Sequence, residues 1–489
     1  MTGFSVSTLR AVMMFGIHML AILLKRTYDS VTAAAVTAVL LVLEEPNYLY
    51  SSSFLFSFGC ILTIGLLLPA LTRKRLPGEK QPEGIRLKFL EGLSLTLCML
   101  PLQLWFFYQI PGYSVFLNLC ILPLMSFLMA GGFLMIAGKS VFLQEAAALL
   151  VTGILTVYEV VCRLCEKLPF HLITVGKPRG WQMAAAFLIL LLIMALQRKI
   201  SLKIKWMLMT GFVLLLLFPA PNHFSVTFLD VGQGDCIHIR NDEGSHYLID
   251  GGSLSVSSVG SYRILPYLKE QGVRELDGVF ITHPDSDHYN GIEEILETMD
   301  ESGILIKRLY LPDMGEASRN DEYEKIRQLA REKEVPVFLF SRGQQLKEGK
   351  MQLTCLHPAK GFESRDPNEY SLVFWLEYGD FRALLTGDLE KEGERELLRA
   401  LEKTYQEPVS VLKAAHHGSA NATSEEFLNV FSPDCTIISC GENNRYGHPH
   451  KETLERLRAC GSQIYQTMES GAITVKPDGR RLRIEEFLK

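Results

Sequence analysis

Cysteine is scarce in this sequence, ten in 489 residues, which excludes a disulfide-stapled scaffold. Charge is scarce in its first part, and the long apolar runs there exclude a disordered chain and a wholly soluble one. Residues 1–222 hold 18 Lys+Arg against 9 Asp+Glu, whereas residues 223–489 hold 31 against 45. A length of 489 residues also exceeds one ordinary domain. An apolar, basic first part before an acidic second part predicts a membrane domain over 1–222 and a soluble domain over 223–489.

The apolar runs approach or exceed the ~20 residues that cross ~30 Å of hydrocarbon. The clearest are Ser53 to Leu71, Leu93 to Ile110, Ser114 to Ala137 and Val141 to Val161. Shorter runs are Ala11 to Leu24, Val31 to Leu43, Met183 to Leu196 and Trp206 to Ala220, for a working total of eight spans. Basic loops stay cytoplasmic. The clusters Arg73, Lys74, Arg75, Lys80, Arg86, Lys88 and Arg198, Lys199, Lys203, Lys205 are separated by four runs, an even number that puts both on the cytoplasmic side. One further crossing predicts an extracytoplasmic location from Pro221 onward. The loop Arg163 to Gly180 carries four basic residues on the outer side, against this rule. His18, Gln103, Asn118, Glu145 and Glu159 lie inside runs; they are candidates for a conduit, with interhelix hydrogen bonding as the alternative.

From Phe224 the pattern changes to short β-type runs and amphipathic helices, which predicts packed sheets with helices outside. Chemistry gathers at strand ends. After Val279-Phe280-Ile281-Thr282 comes His283-Pro284-Asp285-Ser286-Asp287-His288, four potential ligands in six residues. Imidazole and carboxylate together suit divalent transition metals, and alternating ligands can serve two ions ~3.5–4 Å apart. Asp388 follows an apolar strand in Thr386-Gly387-Asp388. His416 and His417 follow another in Lys413-Ala414-Ala415-His416-His417-Gly418-Ser419. In extended chain such neighbours point opposite ways, which predicts one at the metal and the other orienting it or touching substrate. Tyr446-Gly447-His448-Pro449-His450 is a weaker signal, divided between site edge and ordinary turn. Cys162 and Cys165 have no second Cys pair to make a metal ribbon.

The run from His283 to His288 resembles the metallo-β-lactamase-fold signature, with Asp285 where the common form has His. Together with Phe228-Leu229-Asp230-Val231-Gly232-Gln233-Gly234-Asp235, Leu248-Ile249-Asp250-Gly251-Gly252, Asn368 with Ser371-Leu372-Val373, Thr386-Gly387-Asp388 and His416-His417-Gly418-Ser419, it is similar to the soluble domain of the ComEC family. These are bacterial competence channels that take up transforming DNA. Phe54-Leu55-Phe56-Ser57-Phe58 and the span around Pro101 to Phe107 resemble that family's competence region. The resemblance covers essentially the whole chain but lacks the family's usual N-terminal OB-like domain and further spans.

The resemblance implies a polytopic α-helical membrane domain followed by an αββα metallo-β-lactamase-fold domain, in the bacterial plasma membrane with the second domain extracytoplasmic. It implies a conduit for single-stranded DNA, a metal-dependent phosphodiesterase, other competence uptake proteins as partners, and self-association. Two divalent ions, Mn2+ or Zn2+, are expected: His283 and Asp285 at one, Asp287 and His288 at the other, Asp388 bridging, and one of His416 and His417 completing the shell. Carboxylate at Asp285 favours the harder Mn2+. Asp287, His416, His417 and His448 form the expected catalytic set. Asn368, Ser371, Ser419 and His448 are the expected substrate contacts, with leaving-group protonation the alternative role. The acidic second part opposes tight nonspecific DNA binding. Two other functions stay open: a transporter with a non-catalytic hydrolase-like domain, and a membrane-tethered esterase of envelope phosphodiesters.

Overall fold

The computed structural model describes residues 5–72, 84–137, 140–219, 221–315, 319–402, 405–479 and 481–488. The basic stretch 73–83 and Ala220, which ends the last expected span, lie outside the described residues. Two compact units emerge: Met1–Pro219 with Lys269–Gly272, and Ala220–Leu268 with Val273–Lys489.

In the first unit every expected apolar run becomes a helix: Val6–Leu23, Ser30–Glu44, Ser52–Thr72 (with a π-turn at Thr63–Leu67), Ile85–Phe107, Ser114–Ala137, Val141–Glu166, Gly180–Ala195 and Leu202–Leu217. Five of them are long and apolar enough to cross a membrane. The helices Ser30–Glu44, Gly180–Ala195 and Leu202–Leu217 have 15 or 16 residues. At 1.5 Å per residue such a helix covers only about 24 Å. These three are among the shorter of the eight expected spans, open to a tilted, re-entrant or buried placement. Phe15, Phe127, Phe133, Phe142 and Leu149 stand exposed on the long helices, apolar surface that hydrocarbon covers and water does not. Two expected conduit residues bond locally instead: Glu159 pairs with Arg163 one turn on, and Gln103 donates to the Gln109 carbonyl at 3.3 Å. Cys162 and Cys165 are free thiols.

The second unit is a sandwich. One eight-stranded sheet runs in the order Val337–Phe340, Leu309–Pro312, Gly278–Phe280, His246–Ile249, Ile237–Arg240, Ser225–Phe228, Ile473–Asp478, Arg481–Glu486. The other, seven-stranded, runs Gln345–Glu348, Met351–His357, Val373–Tyr378, Phe381–Leu385, Val411–Lys413, Cys435–Ile438, Gln463–Gln466. Each is antiparallel at one end and parallel at the other. The parallel strands need crossovers, and helices supply them.

Alternation along the strands divides the core into three layers. Between the sheets lie Phe228, Ile239, Phe280, Phe374, Leu385 and Ile437. Outside the first sheet, Ile292, Ile295, Tyr323 and Ile326 come from the helices Ser286–Glu297 and Asp321–Glu332. Outside the second, Trp375 and Leu412 meet Leu397, Phe427 and Leu457 from Lys391–Ala400, Glu425–Phe431 and Lys451–Ala459. The order is helix, sheet, sheet, helix, the αββα arrangement.

Candidate metal centre

The expected ligand motifs fall at carboxyl ends of strands, where open sheets place their ligands, whereas Asn368 and Ser371 precede the strand Val373–Tyr378. The strand Gly278–Phe280 leads into His283, and the helix Ser286–Glu297 begins inside the motif, with Asp287 in its first turn. Phe381–Leu385 leads to Asp388, Val411–Lys413 to His416 and His417, and His246–Ile249 to Asp250. Glycine permits the convergence: a Cβ at Gly252 would lie 2.3 Å from the Asp287 carbonyl carbon and 2.4 Å from the His288 nitrogen. That close approach brings Asp235, whose N–H donates to the Asp287 carbonyl at 3.1 Å, beside the motif loop.

Five side chains expected from the sequence meet at one point. His288 Nε2 and His417 Nε2 each lie 3.3 Å from Asp388 Oδ2. His417 Nε2 is 3.4 Å from Asp287 Oδ2, and the His283 and His288 ring centroids are 4.1 Å apart. The other ring nitrogens are occupied. His288 Nδ1 donates to Asp250 Oδ2 at 2.9 Å, and His417 Nδ1 donates to the Ser439 carbonyl at 2.9 Å. Asp250 is itself fixed, accepting from Thr282 N–H at 2.7 Å and Thr282 Oγ at 2.8 Å. A carboxylate behind a ligating histidine fixes its tautomer and direction.

Among the described residues, four overlapping donor groups have ligand atoms within 4.8 Å of one another: His283/His288/Asp388, Asp287/His288/His417, Asp235/Asp388/His417 and Asp235/Asp250/His288. The Nε2 atoms of His283, His288 and His417 are buried without a hydrogen bond. Buried polar atoms are ordinarily paired. Three orphaned imidazole nitrogens facing carboxylates are the donor set of a divalent transition ion, so the residues fit the expected cofactor.

The electrostatics are those of a dense buried charge cluster. Burial pushes the Asp388 carboxyl up, but His417, His288 and Lys413 outweigh it and hold it well below the usual carboxylate range. Burial likewise pushes the Asp287 carboxyl up, but the hydrogen bond to His417 and the charges of His288 and His417 outweigh it and lower it to about 2. His417 is pushed down by burial yet raised to about 10 by Asp388, Asp235 and Asp287; His288 is raised in the same way by Asp388 and Asp250. Beneath them sits Lys413, fully buried, its Nζ paired with Asp235, 3.5 Å from Asp388 Oδ1 and donating to the Gly387 carbonyl at 3.0 Å.

Other expected residues are placed differently. Asp285 is 41% exposed, its Oδ2 3.7 Å from His283 Nε2, and it belongs to none of the four donor groups. Burial raises its carboxyl to about 6. His416 and His417 are not in extended chain, as the alternation argument assumed. Both occupy left-handed backbone, φ 47° and 52°, in the turn Ala415–Gly418. This turn aims His417 inward and leaves His416 at the rim, with Nδ1 on Glu390 at 2.8 Å and Nε2 3.8 Å from Asp388 Oδ2. Ser371 is fully buried; its hydroxyl accepts from Asp388 N–H at 3.0 Å and lies 3.4 Å from His283 Nδ1, bracing the site from behind instead of facing substrate. Ser419 is buried and accepts from Asn421 N–H at 3.3 Å. Asn368 and His448 do line the cleft in front of the centre. Burial and the neighbouring His417 and His416 hold His448 down at about 4.

Three residues of this site had no role assigned from sequence: Asp235, Asp250 and Lys413. Asp250-Gly251-Gly252 and Gly234-Asp235 read locally as turns. Lys413, a cation within a buried apolar strand, was the available signal.

Known proteins resemble both units. Residues 1–200 match the Competence protein family model and residues 229–442 the Metallo-beta-lactamase superfamily model. Over 98% of this chain the sequence is 29% identical to ComE operon protein 3 of Bacillus subtilis (strain 168), covering 62% of that protein. Over 99% it is 26% identical to Recombination protein 2 of Haemophilus influenzae, covering 63% of it. The chain thus spans less than two thirds of either relative's length. Among solved structures, the metallo-β-lactamase fold protein YhfI from Bacillus subtilis aligns with 50% of this chain and 96% of its own, at 13% identity and TM-score 0.33.

Proposed function

We propose that this chain, a competence-family membrane domain joined to a metallo-β-lactamase-fold domain, works in DNA uptake across the bacterial plasma membrane. The helical part is a multi-pass conduit for single-stranded DNA. The sandwich, on the extracytoplasmic side, is a metal-dependent phosphodiesterase of the nuclease class. DNA and lipid are its partners, with other uptake proteins and a second copy of the chain completing the machine. The observation that carries this reading is the convergence of three orphaned imidazole nitrogens on Asp388 at a cleft.

His283, His288, His417, Asp287 and Asp388 would hold two divalent ions, Mn2+ or Zn2+. Such ions supply positive charge to the phosphate and lower the pKa of water from ~16 toward ~7. The protein does the rest. Asp250 and the Ser439 carbonyl keep the His288 and His417 rings turned toward the centre. Lys413 offsets the charge of Asp235 and Asp388 so that neither repels an incoming phosphate. Asp285 and His416 stand at the rim, where they would meet substrate. His448, neutral at physiological pH, offers substrate a hydrogen bond and not a charged acid.

The test is turnover by the full chain in lipid nanodiscs with Mn2+ or Zn2+, offered single-stranded DNA, duplex DNA and a small phosphodiester. DNA cleavage that disappears in Asp287→Ala is the expected result. Cleavage of the small ester alone would make the domain an envelope esterase. Ion binding without turnover would make it a non-catalytic docking module.

A further inference from the structure

The cleft before the metal centre, about 320 Å³, is lined by Asp287, Asp388 and His417 and also by Arg445, Tyr446 and His448. Arg445 and Tyr446 take no part in the donor set. They sit on the loop that follows the strand Cys435–Ile438, and Asn444 is its internal frame. Asn444 Nδ2 donates to the carbonyls of Gly441 at 2.9 Å and His448 at 2.6 Å; its Oδ1 accepts from the N–H of Tyr446 at 3.2 Å and of His448 at 3.0 Å. The loop therefore holds its shape without help from the two side chains next to Asn444.

Those side chains are nevertheless ordered into a row. The Tyr446 ring stacks on His448, centroids 5.7 Å apart at 22°, and His448 in turn meets His416 at 5.4 Å and His417 at 6.3 Å. Arg445 Nη2 donates to the Tyr446 hydroxyl at 2.6 Å, with its guanidinium 4.9 Å from the ring centroid. Tyr446 remains 41% exposed. A flat π surface backed by another ring suits a nucleobase, and base–aromatic stacking does not depend on sequence. A guanidinium fork over that ring suits a phosphate. In a duplex the base faces are already stacked, so such a surface selects unpaired strands.

We propose that Arg445 and Tyr446 form a nucleotide subsite beside the metal centre: Tyr446 stacks on the base next to the scissile phosphate, and Arg445 holds the adjoining phosphate. The subsite directs the centre to single-stranded nucleic acid in preference to duplex or small phosphodiesters. This inference rests on the phosphodiesterase reading above and names its substrate.

The experiment measures kcat and KM of the full chain in nanodiscs with Mn2+ on a single-stranded oligonucleotide and on bis(p-nitrophenyl) phosphate. Tyr446→Ala should raise KM for the oligonucleotide by about tenfold, with the oligonucleotide-to-ester ratio of kcat/KM falling by the same factor. Tyr446→Phe, which keeps the ring, should restore the ratio. Arg445→Ala should lower the slope of log affinity against log salt by about 0.7, the share of one single-strand phosphate. Loss of both activities in proportion, as displacement of His448 would cause, overturns the subsite, as does Tyr446→Phe behaving like Tyr446→Ala. Should the wild type cleave no DNA, the phosphodiesterase reading fails by itself. The subsite is then decided by anisotropy with a phosphorothioate oligonucleotide: weaker binding in Tyr446→Ala but not Tyr446→Phe sustains it, and equal binding overturns it.

Discussion

Replacing Lys413 by methionine keeps the side chain's length and apolar stem but removes the cation beneath the centre. Lys413 is fully buried, Asp235 and Asp388 beside it are nearly so, and burial alone would push the lysine's pKa down were the two carboxylates not raising it. Without the ammonium, two almost fully buried carboxylates lose their cation, and the Gly387 carbonyl loses its donor. Breaking a buried pair from one side costs about 3–5 kcal/mol. For a domain of this size that amounts to a fall in Tm of about 10 °C. Urea unfolding read by pulse proteolysis, in chelator, measures the loss. Lys413→Met with Asp235→Asn should recover most of it, because the double variant leaves one fewer unpaired charge. Added Mn2+ should stabilise Lys413→Met more than the wild type, since the ions replace the missing cation. A loss under about 1 kcal/mol in chelator, or no extra gain from metal, would refute this account of Lys413.

Ion binding should release protons. His417 is held near 10 and His288 is also raised, so at pH 7 each carries a proton that an ion must displace, and affinity should fall by up to about tenfold per pH unit per proton as pH drops. Calorimetry in buffers of different ionisation heat reads this directly, and zero release contradicts it. The same raised values stabilise the chelated fold below about pH 6.5, and that stabilisation fades as pH climbs through the folded values, near 10 for His417; denaturant midpoints against pH should show the decline. Asp250→Asn should weaken ion affinity by about 10–100-fold in chelator competition while the ligands themselves stay in place. His417→Ala should abolish tight binding of at least one ion, whereas His416→Ala should leave stoichiometry intact; equal losses would contradict their placement. A C-terminal alkaline phosphatase fusion should be active and a fluorescent protein fusion dark, as the extracytoplasmic assignment requires.

Hydrophobic patterning made much of this architecture legible. Each apolar run became a helix, and the run His283 to His288 marked the centre because so many donors rarely follow a strand closely. Sheet order was not legible, since Ser225–Phe228 pairs with Ile473–Asp478 and no local pattern announces so distant a neighbour. Met351–His357 pairs with Val373–Tyr378 across the loop 358–372, which carries no tight-turn signal for a hairpin. The direction of His417 depends on left-handed backbone at two consecutive non-glycine residues, which alternation rules exclude. Asp250 looks like a turn residue until the fold surrounds it, and Lys413 stands out only as a cation at the end of an apolar strand.

The pairing of Ser225–Phe228 with Ile473–Asp478 has a consequence for biosynthesis. Thr227 and Thr474 share a hydrogen bond across 247 positions, so an emerging polypeptide keeps one flank of that early strand open until its very late partner leaves the ribosome. The first strand of the sandwich therefore finds this neighbour only after Ile473–Asp478 is made, which puts closure of that sheet edge late in synthesis.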